Sequence, residues 1–378
     1  MSPRAFLAVM AVLIGVCVLA DHKTAQAGEV GTSSYKVLDP IRHGSLTVFP
    51  VVASRSYPTG EFLTLDEGLR SGEVEVTEAG NVQGLIRRHG VPSVRHDRAE
   101  VNRLVLVNNS RRPLLLLAGE IVTGGKQDRV IGKDRIVPAE SDPVDLGVFC
   151  VEPGRWVATS EHFGASGAMY GGGTSGAVGG AVTMMAQPSV RAKAMGDKNQ
   201  NEVWAEVRKQ QEAVRVQLVP AAPSAGADIA QSSSYARVME NKEVRKQVDE
   251  VAKPIEENYH SLIRQLRDRN AVGVVVAVNG RIIWADLFAS TELLEKYWPK
   301  LVRSYASEAV VVRAKDMDVS VSQAQNFLAD MEGRRETIES EPGVYRHTEV
   351  NGDGFKAFAL TSLLPKTGFE VHVAKMSE

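Results

Sequence analysis

The sequence predicts an α+β protein: a strand-rich, antiparallel N-terminal part, built as a sandwich or open barrel, followed by a helix-rich part with its own small sheet. Three observations predict it. Short apolar or alternating runs punctuated by turn residues fill positions 44–160, and successive short strands joined this way argue against βαβ units. Helical apolar stripes dominate from residue 199 onward. Between them lies Gly164 to Ala181, GASGAMYGGGTSGAVGGA, whose ordering entropy is large and whose side chains offer little in return. We therefore read 161–198 as a connecting loop, with 44–160 and 199–378 packed together as one domain.

The chain begins with a targeting pattern. Arg4 supplies a positive start, Ala5 to Ala20 are almost wholly apolar, and Ala25-Gln26-Ala27 has the small-x-small form of a cleavage site. This predicts a signal peptide, residues 1–27, cut after Ala27, and an extracytoplasmic protein with no membrane-spanning segment after cleavage. Residues 28–43 lack periodicity and are expected to be a loosely held lead-in. Of the two cysteines, Cys17 leaves with the signal, so Cys150 has no internal disulfide partner. Period-2 alternation puts Cys150 on the face of Val144, Leu146 and Val148, as a small buried hydrophobe.

The formal charge is −2 and basic residues are scattered, which leaves no footprint for nucleic acid. Leu46 to Ala53 predicts a strand, Phe62 to Gly72 a short helical piece, and Glu73 to Thr77 a half-buried strand. Arg87, Arg88, His89, Arg95, His96 and Arg98 around Pro92 read as a solvated loop. Leu104 to Val107 and Leu114 to Leu117 are continuous apolar runs of strand length. The Asn, Ser and Pro residues between them predict a hairpin.

In the second part, Asn199 with Glu202 resembles a capping box opening a helix over Val203, Trp204, Val207 and Val214. Ser233 to Lys253 reads as a second helix. Beyond Pro254 a stripe of Ile255, Tyr259, Leu262, Ile263 and Leu266 continues it. Val272 to Val278, Asn279-Gly280 and Arg281 to Ala285 form the strongest hairpin signal in the chain. Leu294 to Tyr305 carries a further helical stripe around Pro299. Ser320 with Gln323 caps a short helix, and strands at Tyr345 to Val350, Phe355 to Leu360 and Phe369 to Ala374 close the chain.

Catalytic motifs fail on spacing. Gly119 to Gln127, GEIVTGGKQ, resembles a phosphate loop, but Glu120 stands where the first Gly is required and Gln127 where a Ser or Thr would hold magnesium. The eight His residues show no paired metal-ligand spacing, and one mature Cys excludes a thiolate zinc site, so no metal or cofactor is expected. Asn351 to Gly354 reads as a hairpin turn, without the remainder of a calcium loop.

What remains is a set of charges at strand ends: Glu120, Lys126, Gln127, Asp128, Arg129, Lys133 and Arg135, then Glu152, Arg155 and Trp156. Glu120, Lys126, Gln127, Arg129, Arg155 and Trp156 are the candidate binding residues for a small anionic ligand. The Arg residues would supply planar forks and Trp156 a ring face. Two alternatives stand beside this. In a hydrolase of a phosphorylated or ADP-ribosylated substrate, Glu120 or Glu152 would act as general base. In a scaffold for a protein partner of unknown identity, the same charges would be an internal ion-pair network.

Four stretches carry a resemblance: GEIVTGGKQDRVIGKDRIVPA from Gly119, CVEPGRW from Cys150, NEVWAEV from Asn201 and VGVVVAVNGRIIWADLFASTELLEKYWPKLVRSYASEAV from Val272. Together they resemble the ADP-ribosylglycohydrolase and rhodanese-phosphatase-associated protein domain family. The resemblance implies a genomic association with ADP-ribose-processing and phosphatase-like enzymes, and it carries over no catalytic residue.

Overall fold

The computed structural model describes residues 35–79, 101–160, 162–164, 184–221, 226–265, 270–313 and 317–378. The basic cluster Arg87 to Arg98, most of the Gly-rich stretch, the signal pattern and Leu266 lie outside the described residues.

The N-terminal part is antiparallel and nearly closed. After β1 (Tyr35–Val37), β2 (Ile41–His43), β3 (Leu46–Ala53) and β4 (Leu63–Thr64), helix α1 (Leu65–Ser71) begins at a full capping box between Thr64 and Glu67. It ends at Gly72, whose left-handed φ of 69° a side chain would resist. Then follow β5 (Val74–Glu78), β6 (Arg103–Asn108), β7 (Leu114–Leu116), β8 (Glu120–Gly124), β9 (Arg129–Ile131), β10 (Arg135–Val137), β11 (Val144–Cys150), β12 (Phe163–Gly164) and β13 (Met184–Met185). One sheet runs β12-β8-β9-β11-β6-β5, with β13 also on β8. A bridge between Thr77 and His162 brings its two ends together into a barrel. Val76, Leu106, Val122, Ile131, Val148 and Phe163 fill the inside, joined by Leu63, Leu114 and Leu116 from a three-stranded sheet, β10-β7-β4.

The helix-rich part comprises α2 (Pro188–Ala192), one π-helical turn, α3 (Gln200–Gln217), α4 (Gly226–Gln231), α5 (Tyr235–Glu240), α6 (Lys242–Gln265), α7 (Thr291–Val310) and α8 (Val321–Ala329). Its sheet is antiparallel: β14 (Ala271–Val278), β15 (Arg281–Phe288), β16 (Arg334–Glu341), β17 (Tyr345–Gly352), β18 (Phe355–Ser362) and β19 (Glu370–Ser377). The order is β1-β3-β14-β15-β19-β18-β17-β16, so this sheet recruits β3 and its neighbours from the start of the chain. One face of the sheet, with Val48, Val274, Val276 and Trp284, packs on Tyr259 of α6 and on Trp298 and Tyr305 of α7. The other, with Phe49, Val275, Ala277 and Leu287, packs on Ala324 and Leu328 of α8.

Two expectations change. The apolar runs β6 and β7 do not form a hairpin: β6 pairs with β5 and β11, and β7 with β4 and β10. The connection is tied by the Asn108 amide, which donates to the carbonyls of Arg112 at 2.8 Å and Pro138 at 2.9 Å, and this sends the chain into a second sheet. Order also begins before Gly44, because β1 and β2 both pair with β3. Other local signals act as expected. Asn279 and Gly280 both take positive φ between β14 and β15, Ser320 and Gln323 form a full capping box, and the Asn351 to Gly354 stretch turns β17 into β18. Asn199 caps α3 through Asn201 and Glu202.

Candidate functional site

Strand alternation decides which charged side chains enter the barrel. Arg129 lies opposite Val122 and Cys150 in the ladders and shares the parity of Ile131, so it points inward; Glu78 continues the inward row of Val74 and Val76. Both therefore look into one end of the barrel. Arg129 is 0% exposed, and among the described residues its Nε and Nη2 have no hydrogen-bond partner and the nearest approach to a carboxylate is 3.9 Å, from Nη2 to Glu78 Oε1. Burial pushes this guanidinium's pKa down, with Cys150 and Glu78 opposing the shift. Burial likewise pushes the Cys150 thiol up, away from thiolate character.

The β8–β9 turn closes over this end. Gly124 and Gly125 hold φ of 125° and 49°, and a Cβ on Gly125 would collide with the Phe163 ring and crowd Glu78. The turn is fixed by carboxylates: Lys126 N–H donates to Glu78 Oε1 at 2.8 Å, Gly124 N–H to Asp128 Oδ1 at 3.2 Å, and Asp128 N–H to Glu152 Oε2 at 3.1 Å. Gln127 Nε2 donates to the Glu152 carbonyl at 3.0 Å, while Gln127 Oε1 is buried without a partner. Asp128 also accepts from Ser234 Oγ at 2.6 Å, and burial followed by the neighbouring Glu152 raises its pKa.

Trp156 sits on top and is 43% exposed. Lys126 Nζ lies 4.9 Å from the centre of its ring and the Arg129 guanidinium carbon 5.9 Å, within reach of cation–π attraction. Arg155 is a strut: it donates to Glu152 at 2.5 Å, to Gly125 O at 3.0 Å and to Val157 O at 2.7 Å.

A second charged group lies deep between the barrel and the large sheet. Arg191 of α2 forms a two-pronged pair with Asp286 of β15, at 2.9 and 3.0 Å, over the face of Trp284. His372 of β19 bridges Asp134 at 2.6 Å and Asp286 at 3.2 Å, and Tyr305 donates to Asp286. Asp134 in turn accepts from Ala118 N–H at 2.7 Å. Although burial opposes it, Asp134 and Asp286 raise His372 to about 9, and Arg191 with His372 holds Asp286 well below the carboxylate range. Nearby, Lys300 of α7 joins Asp66 at 2.8 Å and Glu120, both buried.

The six residues predicted from sequence thus divide. Lys126, Gln127, Arg129, Arg155 and Trp156 gather at the barrel mouth with Glu152. Glu120 stands outside that group, because its 0%-exposed carboxylate is taken by Lys300 and by Leu117 N–H at 2.7 Å. Lys133 lies over the Tyr345 ring and Arg135 pairs with Glu341, both away from the mouth. Sequence reading missed Glu78 and the whole inner cluster. The available signal was a charged residue at an inward position of an apolar strand, as with Asp286 in IIWADLF and His372 in EVHVAKM.

Among the described residues, no group of His, Cys, Asp and Glu is placed to hold a metal, and no helix is long and apolar enough to cross a membrane. An open groove of about 710 Å³ along α6, between Glu240 and Pro254, is lined by none of the mouth residues. No curated protein and no solved structure matches the chain. A family model described as the ARG and Rhodanese-Phosphatase-superfamily-associated Protein domain matches residues 34–376, and the chain belongs to that family.

Proposed function

We propose that this member of the ARG and Rhodanese-Phosphatase-superfamily-associated Protein domain family binds a small anionic ligand at the mouth of its N-terminal barrel and does no chemistry there. The family description ties the chain loosely to ADP-ribose metabolism, which supports looking for the ligand among phosphorylated, nucleotide-like compounds. The observation that carries the reading is Arg129. A buried guanidinium with two unpaired nitrogens bears a desolvation cost that a bound anion would offset. Barrel mouths are frequent ligand positions.

In this reading each neighbour has a task. Arg129 offers its Nε and Nη2 edge to the anion, and Lys126 adds a mobile point charge. Trp156, half in solvent, swings aside to admit the ligand and then covers it. Arg155 and Glu152 hold the turn in place. The hydrolytic alternative finds less support, since Glu120 is sealed against Lys300 and Glu152 Oε2 is occupied by Arg155 and the Asp128 amide. The N-terminal pattern supports export with cleavage after Ala27, which mass spectrometry of the secreted chain would test; an intact residue 1 would overturn it.

The binding test is a thermal-shift titration with inorganic phosphate, sugar phosphates and nucleotides. A rise in Tm that grows with the logarithm of ligand concentration is expected for at least one of them, on the order of 2–3 kcal/mol of stabilisation at a hundredfold excess over Kd. The rise should vanish in Arg129→Met. No shift with any of these anions, or the same shift in Arg129→Met, would sink the reading.

A further inference from the structure

We infer that the ligand of the barrel mouth is a hydroxylated anion of the sugar-phosphate kind and not a bare inorganic ion. The inference rests on reading the mouth as a binding site. Its basis is an inventory of unpaired atoms. Two are donors, Nε and Nη2 of Arg129, and two are acceptors, Oε2 of Glu78 and Oε1 of Gln127; the four side chain atoms are all buried and, among the described residues, without a hydrogen-bond partner. A phosphate group satisfies the donors. It serves the acceptors poorly, because the one or two protons it carries near neutral pH sit on the same oxygens that Arg129 would bind and its charge opposes the Glu78 carboxylate.

The acceptors are also held in place before any ligand arrives. Glu78 Oε1 is fixed by Lys126 N–H at 2.8 Å, and Gln127 Nε2 by the Glu152 carbonyl at 3.0 Å. The free oxygen of each side chain therefore has a defined position, and the donation of Nε2 to a carbonyl settles which end of the Gln127 amide is the oxygen. A ligand whose phosphate meets Arg129 and whose hydroxyl groups donate to Glu78 and Gln127 leaves none of the four atoms unpaired. The Trp156 ring supplies a flat apolar surface for the C–H face of a sugar.

The test is calorimetric titration of the full chain with ribose 5-phosphate, inorganic phosphate and ribose. Ribose 5-phosphate is expected to bind about tenfold or more tightly than inorganic phosphate, the worth of one or two hydrogen bonds to buried acceptors. Ribose, which leaves Arg129 unpaired, should be weakest. Gln127→Leu and Glu78→Gln should each narrow the gap between ribose 5-phosphate and phosphate, with folding checked by circular dichroism. Should Glu78→Gln unfold, Gln127→Leu alone decides. If phosphate and ribose 5-phosphate bind within about twofold of each other, and both are lost in Arg129→Met, the hydroxyl inference is overturned while the anion site stands. If neither binds, the anion site itself fails. A gap unchanged in Gln127→Leu also overturns the inference.

Discussion

Arg129 and Arg191 are both wholly shielded from water, yet they sit in opposite electrostatic settings. Arg191 meets Asp286 with two prongs, lies on Trp284 and has its pKa raised despite burial. Arg129 has no carboxylate within hydrogen-bond distance among the described residues, and its pKa is lowered. The difference separates two uses of a buried charge. At the inner cluster, five residues from distant parts of the chain are fastened by one network of ion pairs and hydrogen bonds. At the barrel mouth the same residue type lacks such a pair, beneath a turn whose N–H groups are taken by Glu78, Asp128 and Glu152.

Matched substitutions give the largest expected contrast. Arg191→Met strands the Asp286 carboxylate in the interior and should cost about 3–5 kcal/mol in urea denaturation. Arg129→Met removes a charge whose nearest carboxylate is 3.9 Å away and should change stability by less than about 1 kcal/mol, or raise it. Equal losses in the two variants would break the comparison and make both arginines structural.

The next contrast is in pH. His372 is raised from its ordinary 6.5 to about 9, so its stabilising contribution is complete below about pH 6.5 and fades as pH rises through 9. The effect is on the order of 3 kcal/mol at most. Asp286 and Asp134 are lowered, so their contributions are present above the ordinary carboxylate range and fade on acidification. Thermal unfolding of His372→Gln should approach that of the wild type as pH climbs from 6 to 10. Arg129→Met should keep the wild-type profile, and a gap that widens with pH in His372→Gln would show the histidine to be neutral in the folded protein.

The smallest effect on stability is expected at Trp156. Trp156→Leu should shift unfolding by no more than about 0.5 kcal/mol, because the ring is half in solvent, while anion-induced stabilisation falls. A large loss of stability there would mean that the ring seals the barrel and is not a movable cover.

The two regions also differ in how far they could be read from sequence. Lys126, Gln127, Arg129, Arg155 and Trp156 lie within one turn and one strand end, so spacing alone brought them together. The inner cluster joins Asp134, Arg191, Asp286, Tyr305 and His372, single residues from segments whose pairing no local pattern encodes. Glu120 shows the same limit, since its partner Lys300 lies 180 residues away. Within the fold, Asn279-Gly280 and the Ser320–Gln323 cap were legible because each is a complete local mechanism. The runs at β6 and β7 were not, because strands with a buried row on both sides carry no alternation to fix a register.

Strand β3 has every one of its eight residues buried, and one of its long edges is paired with β14, which is made much later. During synthesis the ribosome must add on the order of 200 residues before that cover exists, at least about ten seconds at ordinary elongation rates. Throughout that interval the nascent chain carries a sticky, two-sided ribbon near its beginning. Prematurely terminated products that stop short of Ala271 are therefore expected to be clients of chaperones or to precipitate, whatever the state of their completed barrel.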